Sequence, residues 1–66
     1  MQLVVNGKQT DVAEGMSLTA LIESFGLRVG SVVVEHNGTA LLSSELPAAQ
    51  LADGDRLELV RAVAGG

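Results

Sequence analysis

Few side chains in this sequence could do chemistry, and the group that stands out is not a side chain. The sequence ends Ala64-Gly65-Gly66, directly after the largely apolar run from Leu57 to Val63. Read as a free terminus, this places an α-carboxylate behind two residues that lack a Cβ. Glycines follow a channel too narrow for other residues, in almost any φ/ψ. Ala64 and Gly65 therefore suit a tail threaded into an active site, with Gly66 at its tip. The same ending also suits a frayed terminus or the scar of an expression linker. The side-chain candidates are weaker. Asp53 and Asp55 could act as acid and base or hold a cation, but Asp-Gly-Asp before a strand is turn composition. His36, followed by Asn37-Gly38, reads as a strand end in solvent rather than a member of a triad. Ser43 and Ser44 have no base near them in sequence, Ser17 is accounted for as a helix cap, and Lys8 as a solvated hairpin residue. Gly7 and Gly38 answer turns, and no glycine-rich phosphate loop is present. By elimination the distinctive group is the Gly66 carboxylate.

Composition narrows the field further. Sixty-six residues make a single domain, 1–66, expected to bury only about 60% of its unfolded surface. Cysteine is absent, which removes disulfides, thiolate catalysis and iron–sulfur clusters. One histidine leaves no zinc site of the usual kind, and no metal ligand set is expected. The net charge of −4, with one aromatic residue (Phe25) and no basic stripe, argues against nucleic acid. It suits either plain solubility or a basic docking face on a partner. The longest apolar runs, Leu3 to Val5 and Val32 to Val34, are too short to span a membrane. No basic segment followed by an apolar stretch opens the sequence, so the expected location is the cytoplasm.

The elements that must position the tail follow from turn and periodicity signals. Gln2 to Asn6 reads as a strand, Asn6-Gly7 as a type I′ turn, and Lys8 to Val12 as the return strand, ended by Glu14-Gly15. Behind an N-cap at Ser17, residues Leu18, Leu21, Ile22 and Phe25 fall on one apolar helix face. Met16 and Leu21 have staple spacing, Gly26 stands at the left-handed C′ position, and Arg28 is placed to complement the helix's negative end. Ser31 to His36 is a third strand. Asn37-Gly38 is a second turn of the same type, and Thr39 to Leu42 a short return. Ser43 to Ala52, with Pro47, is loop or a short helical turn. Asp53-Gly54-Asp55 is a tight turn, and Arg56 to Val63 the last strand. A lone helix of about ten residues on one face of a mixed four- to five-stranded sheet is an α+β arrangement. The first and last strands are richest in branched aliphatics, which suits central positions. As central neighbours they run parallel, and that arrangement is the β-grasp.

A carboxylate is a poor electrophile and a poor nucleophile at neutral pH. Adenylation by ATP makes the Gly66 carbonyl attackable, with AMP as leaving group, and attack by a sulfur donor leaves a thiocarboxylate. A small domain offering such a tail to enzymes in turn is a carrier or co-substrate, not an enzyme. The sequence resembles the ThiS family of thiamine-biosynthesis sulfur carriers, which are ubiquitin-like β-grasp proteins. The resemblance rests on the length, the opening Met1-Gln2-Leu3-Val4-Val5-Asn6-Gly7, the turn Asp53-Gly54-Asp55 and the ending Val63-Ala64-Gly65-Gly66, and runs end to end. It implies a ThiF-like adenylyltransferase acting on Gly66, a cysteine-desulfurase sulfur relay, and a ThiG-like thiazole synthase that receives the sulfur. No cofactor is expected on the chain itself; ATP, with Mg, belongs to the activating partner.

One departure bears on the partner. Family members often carry a Pro-Arg pair shortly after the position of Asn37-Gly38, where this sequence has Thr39-Ala40-Leu41-Leu42-Ser43. The alternatives are a carrier for molybdopterin or another sulfur-containing product, a ubiquitin-like modifier joined through Gly66 to lysines, and a noncovalent binding module. If Leu3, Val5, Leu57 and Leu59 face the helix, then Val4, Glu58, Val60 and Ala62 face outward. Val4 and Val60 on adjacent strands are then expected to form a small apolar patch, with Ala62, leading to the tail. The residues after Val63 have nothing to anchor them and are expected to be mobile until bound.

Overall fold

Two asparagine–glycine pairs set the frame. In the computed structural model, which describes residues 1–62, Asn6 and Gly7 adopt φ of 51° and 79°, and Asn37 and Gly38 adopt 50° and 86°. Positive φ at both central residues makes each a hairpin turn whose twist matches its strands. The first joins β1 (Gln2–Val5) to β2 (Lys8–Asp11), and the second joins β3 (Val32–His36) to β4 (Thr39–Leu41). The last strand, β5 (Arg56–Arg61), lies between the two hairpins. It runs parallel to β1 and antiparallel to β3, in a five-stranded sheet of order β2-β1-β5-β3-β4. This is the expected β-grasp, with the first and last strands as inner neighbours.

One α-helix, α1 (Leu18–Ser24), covers one face of the sheet. The Ser17 hydroxyl accepts the Ala20 N–H at 3.0 Å, so the expected cap is present. At the other end Gly26, at φ 76°, donates to the Glu23 carbonyl, and Leu27 N–H donates to the Ile22 carbonyl. Those two bonds form a Schellman motif, which stops the helix after seven residues rather than about ten. Leu18, Leu21 and Ile22 are buried as expected, but Phe25 is 44% exposed. The reason is the stop itself: Phe25 is already the C-cap, and the chain turns away at Gly26 before its ring reaches the core. Arg28 also departs from expectation. It lies outside the last turn with its side chain exposed, and among the described residues only its carbonyl is engaged, by the Ser31 N–H and hydroxyl.

The core gathers Leu3 and Val5 from β1, Val32 and Val34 from β3, Leu57 and Leu59 from β5, and the helix leucines with Ile22. Val12 and Leu46 complete it. Leu46 comes from the 3₁₀ turn Ser43–Ala48, which packs against α1 and contains Pro47. Leu3 and Val5 of β1 and Leu57 and Leu59 of β5 are buried between less buried neighbours, so the predicted pleat is the observed one up to Leu59. Among the described residues, no helix is long and apolar enough to cross a membrane.

Candidate functional site

The strand that leads to the tail is held on both sides by side chains. On one side Asn6 continues the β1–β5 ladder beyond its last backbone pair. Its N–H donates to the Leu57 carbonyl, its Oδ1 accepts the Leu59 N–H at 2.8 Å, and its Nδ2 donates to the Leu59 carbonyl at 3.3 Å. The side-chain amide thus stands in for one more peptide of β1. On the other side Asn37 does the same for the start of β5. Its N–H donates to the Arg56 carbonyl and its Oδ1 accepts the Arg56 N–H, each at 2.8 Å. In the sequence both asparagines carry only a turn signal. The signal was incomplete: the turn type is local, whereas these bonds cross 53 and 19 residues of sequence.

Asp55 anchors the same corner. Its Oδ2 accepts from His36 Nε2 at 2.8 Å and from the Ala52 N–H at 2.9 Å, and its Oδ1 from Asn37 Nδ2 at 3.1 Å. The bond from His36 and those from Ala52 and Asn37 hold the Asp55 carboxyl below the usual carboxylate range, against a smaller opposing effect of burial. His36 is therefore not a solvated strand end. Its ring is 19% exposed and bridges β3 to the turn before β5. Asp53 and Gly54 bind the other side: the Gln2 N–H donates to Asp53 Oδ1, and the Gly54 N–H to the Gln2 carbonyl, both at 2.6 Å. The Asp-Gly-Asp segment is a structural clasp, and no cluster able to hold a metal occurs among the described residues.

The face of the sheet opposite α1 carries the expected outward residues, but not the expected patch. Val4 lies opposite Arg56, so Val60 is four residues further along β5, about 13 Å away. β1 has ended by then, and the two valines do not meet. The cross-strand neighbour of Val60 is Val33. Leu42, one step beyond the β3–β4 register at Val34–Leu41, extends the row on the far side. Leu42, Val33 and Val60 are 69%, 50% and 59% exposed, and form an apolar row from the residue after β4 across β3 and β5. Ala62, also exposed, continues from Val60, and its N–H donates to the Ser31 carbonyl at 2.7 Å. Beside the row, Glu35 and Glu58 stand directly opposite each other, both exposed and with no ion pair among the described residues. Like charges in that position are destabilising. Ala64, Gly65 and Gly66, the tail residues singled out from the sequence, lie outside the described residues.

Comparison with known proteins agrees with this architecture. The ThiS family model matches residues 2–66. The crystal structure of a thiamine biosynthesis protein (ThiS) from Geobacter metallireducens superposes with a TM-score of 0.83 at 35% identity, covering all of both chains. The solution structure of a thiamine biosynthesis protein from the same organism gives 0.79 at 35% identity, over all of this chain and 88% of that one. A protein named thiazole synthase in Paramagnetospirillum magneticum is 33% identical over 66 residues. That match takes in the whole of this chain but only 20% of the relative's length. With a family model matched from the second residue to the last and a full-length structural counterpart, the chain belongs to the ThiS family.

Proposed function

We propose that this protein is a sulfur carrier of thiamine biosynthesis, a single domain over residues 1–66 whose working group is the Gly66 carboxylate. The observation that carries the reading is the match to the ThiS family through residue 66, Gly-Gly ending included. A carboxylate oxygen of Gly66 attacks the α-phosphorus of ATP on a ThiF-like adenylyltransferase, giving an acyl adenylate and pyrophosphate. A sulfide-level nucleophile from a sulfur relay then adds to the carbonyl and expels AMP, leaving a thiocarboxylate. The chain supplies no catalytic side chain; it supplies the carbonyl, a narrow approach through Ala64 and Gly65, and a surface to dock. Keeping water from the acyl adenylate falls to the enzyme that encloses the tail.

The receiving enzyme in this reading is a thiazole synthase. A stretch one-third identical to this chain within a protein of that name favours thiazole formation over a molybdopterin carrier or a protein modifier. The docking surface is the Leu42–Val33–Val60 row with Ala62, flanked by Glu35 and Glu58, and fits a partner with apolar side chains beside a basic one. Leu42 belongs to the segment that lacks the family's frequent Pro-Arg pair, so this contact is made here by an aliphatic residue.

The test is intact-mass measurement after incubation with ATP, Mg, the cognate activating enzyme and a sulfide donor. A product heavier by the difference between sulfur and oxygen, absent when Gly66 is removed, is the expected result. Isopeptide-linked adducts instead would assign the chain as a modifier, and no change with an active enzyme would end the carrier reading.

A further inference from the structure

A second surface lies on the other side of the sheet, at the edge formed by β2. Met1 and Val12 exchange both backbone hydrogen bonds, at 2.8 Å each. Alternation along an antiparallel pair then makes Leu3–Thr10 and Val5–Lys8 the bonded pairs and turns the N–H and C=O groups of Gln9 and Asp11 outward. Both residues are exposed, and among the described residues β2 has no strand on its outer side. Directly beneath this edge is an open cavity of about 430 Å³. Its walls are mainly apolar, from Val5, Leu59, Leu27 and the half-exposed Phe25, with Lys8 and Thr10 of β2 along its mouth. Lys8 is exposed and has no ion pair among the described residues. The opposite edge, β4, has only three residues.

We propose that the β2 edge and this cavity together dock an extended segment of a partner protein by strand addition. Backbone groups of the segment pair with Gln9 and Asp11. Its alternate side chains, on the same face as Lys8 and Thr10, enter the cavity, and an acidic side chain in that row meets Lys8. Three observations select this occupant. The unpaired peptide groups call for an extended backbone rather than a compact ligand. The cavity has the volume and lining for bulky apolar side chains. Lys8 is the one charged residue lining the cavity, on a chain of net charge −4, and it asks for a single carboxylate. A second copy is disfavoured, because pairing two β2 edges brings two such net charges together. The segment would contact Leu59, which Asn6 clamps, while the Leu42–Val33–Val60 row stays uncovered. The carrier could then be held by one partner while its open face and tail serve another.

The experiment uses the full chain, isotopically labelled, with no ATP or activating enzyme, so its outcome is separate from that of the Gly66 chemistry. The probe is the capped peptide acetyl-Glu-Thr-Phe-Ser-Leu-Thr-Glu-amide, whose alternate residues place Phe, Leu and a terminal Glu on one face in either strand direction. Expected are saturable amide shifts and slowed amide exchange at Gln9 and Asp11, with methyl shifts at Leu27 and Leu59. Lys8→Glu should lower affinity roughly three-fold, in the range of an exposed ion pair. Gln9→Pro removes an outward N–H while sparing the β1 ladder, and should cost roughly five-fold, or one hydrogen bond. Shifts confined to Val33, Glu58 and Val60 would overturn the proposal, as would no saturable shifts at all. So would unchanged affinity in both variants. Concentration-dependent shifts of Gln9 and Asp11 without peptide would overturn it too, giving the edge to a second copy.

Discussion

Asn6 occupies a left-handed turn position and also completes the hydrogen bonding of Leu59, two demands that substitution can separate. Glycine meets the first and not the second. Asn6→Gly should therefore keep the hairpin and lose two bonds to β5, destabilising by about 1–3 kcal/mol because the buried Leu59 is left with unpaired backbone groups. In a domain this small each 1 kcal/mol lowers Tm by about 4–8 °C, which a thermal melt resolves. Asp55 gives a prediction in pH. Its folded pKa lies below the ordinary value of 3.8, held there first by the His36 bond, so the unfolded chain binds the proton more tightly. Its contribution is thus complete above the unfolded pKa of about 3.9 and disappears as pH falls through the lower folded value. Urea midpoints of the native protein and Asp55→Asn should differ most above pH 4 and converge below it. A gap that stays constant down to strongly acid pH would assign the difference to shape rather than charge.

At the scale of elements, the sheet's open face trades stability for a surface. Glu35 and Glu58 repel across β3 and β5, and the exposed Val33–Val60 pair next to them gains little by staying in water. Glu58→Lys should stabilise the fold by about 0.2–1 kcal/mol through an opposite-charge pair, yet slow adenylation by the activating enzyme. Val60→Asp should also slow adenylation, with a far-ultraviolet spectrum and melt close to native. Unchanged adenylation kinetics in both variants would remove this face from the docking surface. Much of this element structure is legible in sequence because its signals are local. Two Asn-Gly pairs, an N-cap at Ser17 and a period-two pleat through Leu57 and Leu59 specify the hairpins, the helix start and the buried face. What is not legible is register between distant strands. Val4 and Val60 share a face by parity, but only the pairing of Val4 with Arg56 shows that they stand far apart. The partnership of His36 with Asp55 is hidden for the same reason, since neither residue's neighbours point to the other.

At the scale of the whole molecule, a chain of 66 residues has a stability on the order of 3–10 kcal/mol, so single core positions matter. A seven-residue helix cannot stand alone and forms only on the sheet it covers. Leu46, 1% exposed, is the buried contribution of the 3₁₀ turn Ser43–Ala48. Leu46→Ala should cost about 2–5 kcal/mol, enough to consume most of the stability at the low end of that range. The tail belongs to a different account. Among the described residues, every core residue lies between Leu3 and Leu59, and the last backbone bond, from Ala62 to Ser31, precedes the glycines in the chain. Deleting Gly65 and Gly66 should therefore leave the urea midpoint where it is, while abolishing thiocarboxylate formation. Leu46→Ala should do the reverse at low temperature, where its folded fraction still presents an intact Gly66: a lowered midpoint with thiocarboxylate yield falling only in proportion to the unfolded fraction. A truncated chain whose midpoint shifted as far as that of Leu46→Ala would mean that the tail is part of the folded domain rather than a handle attached to it.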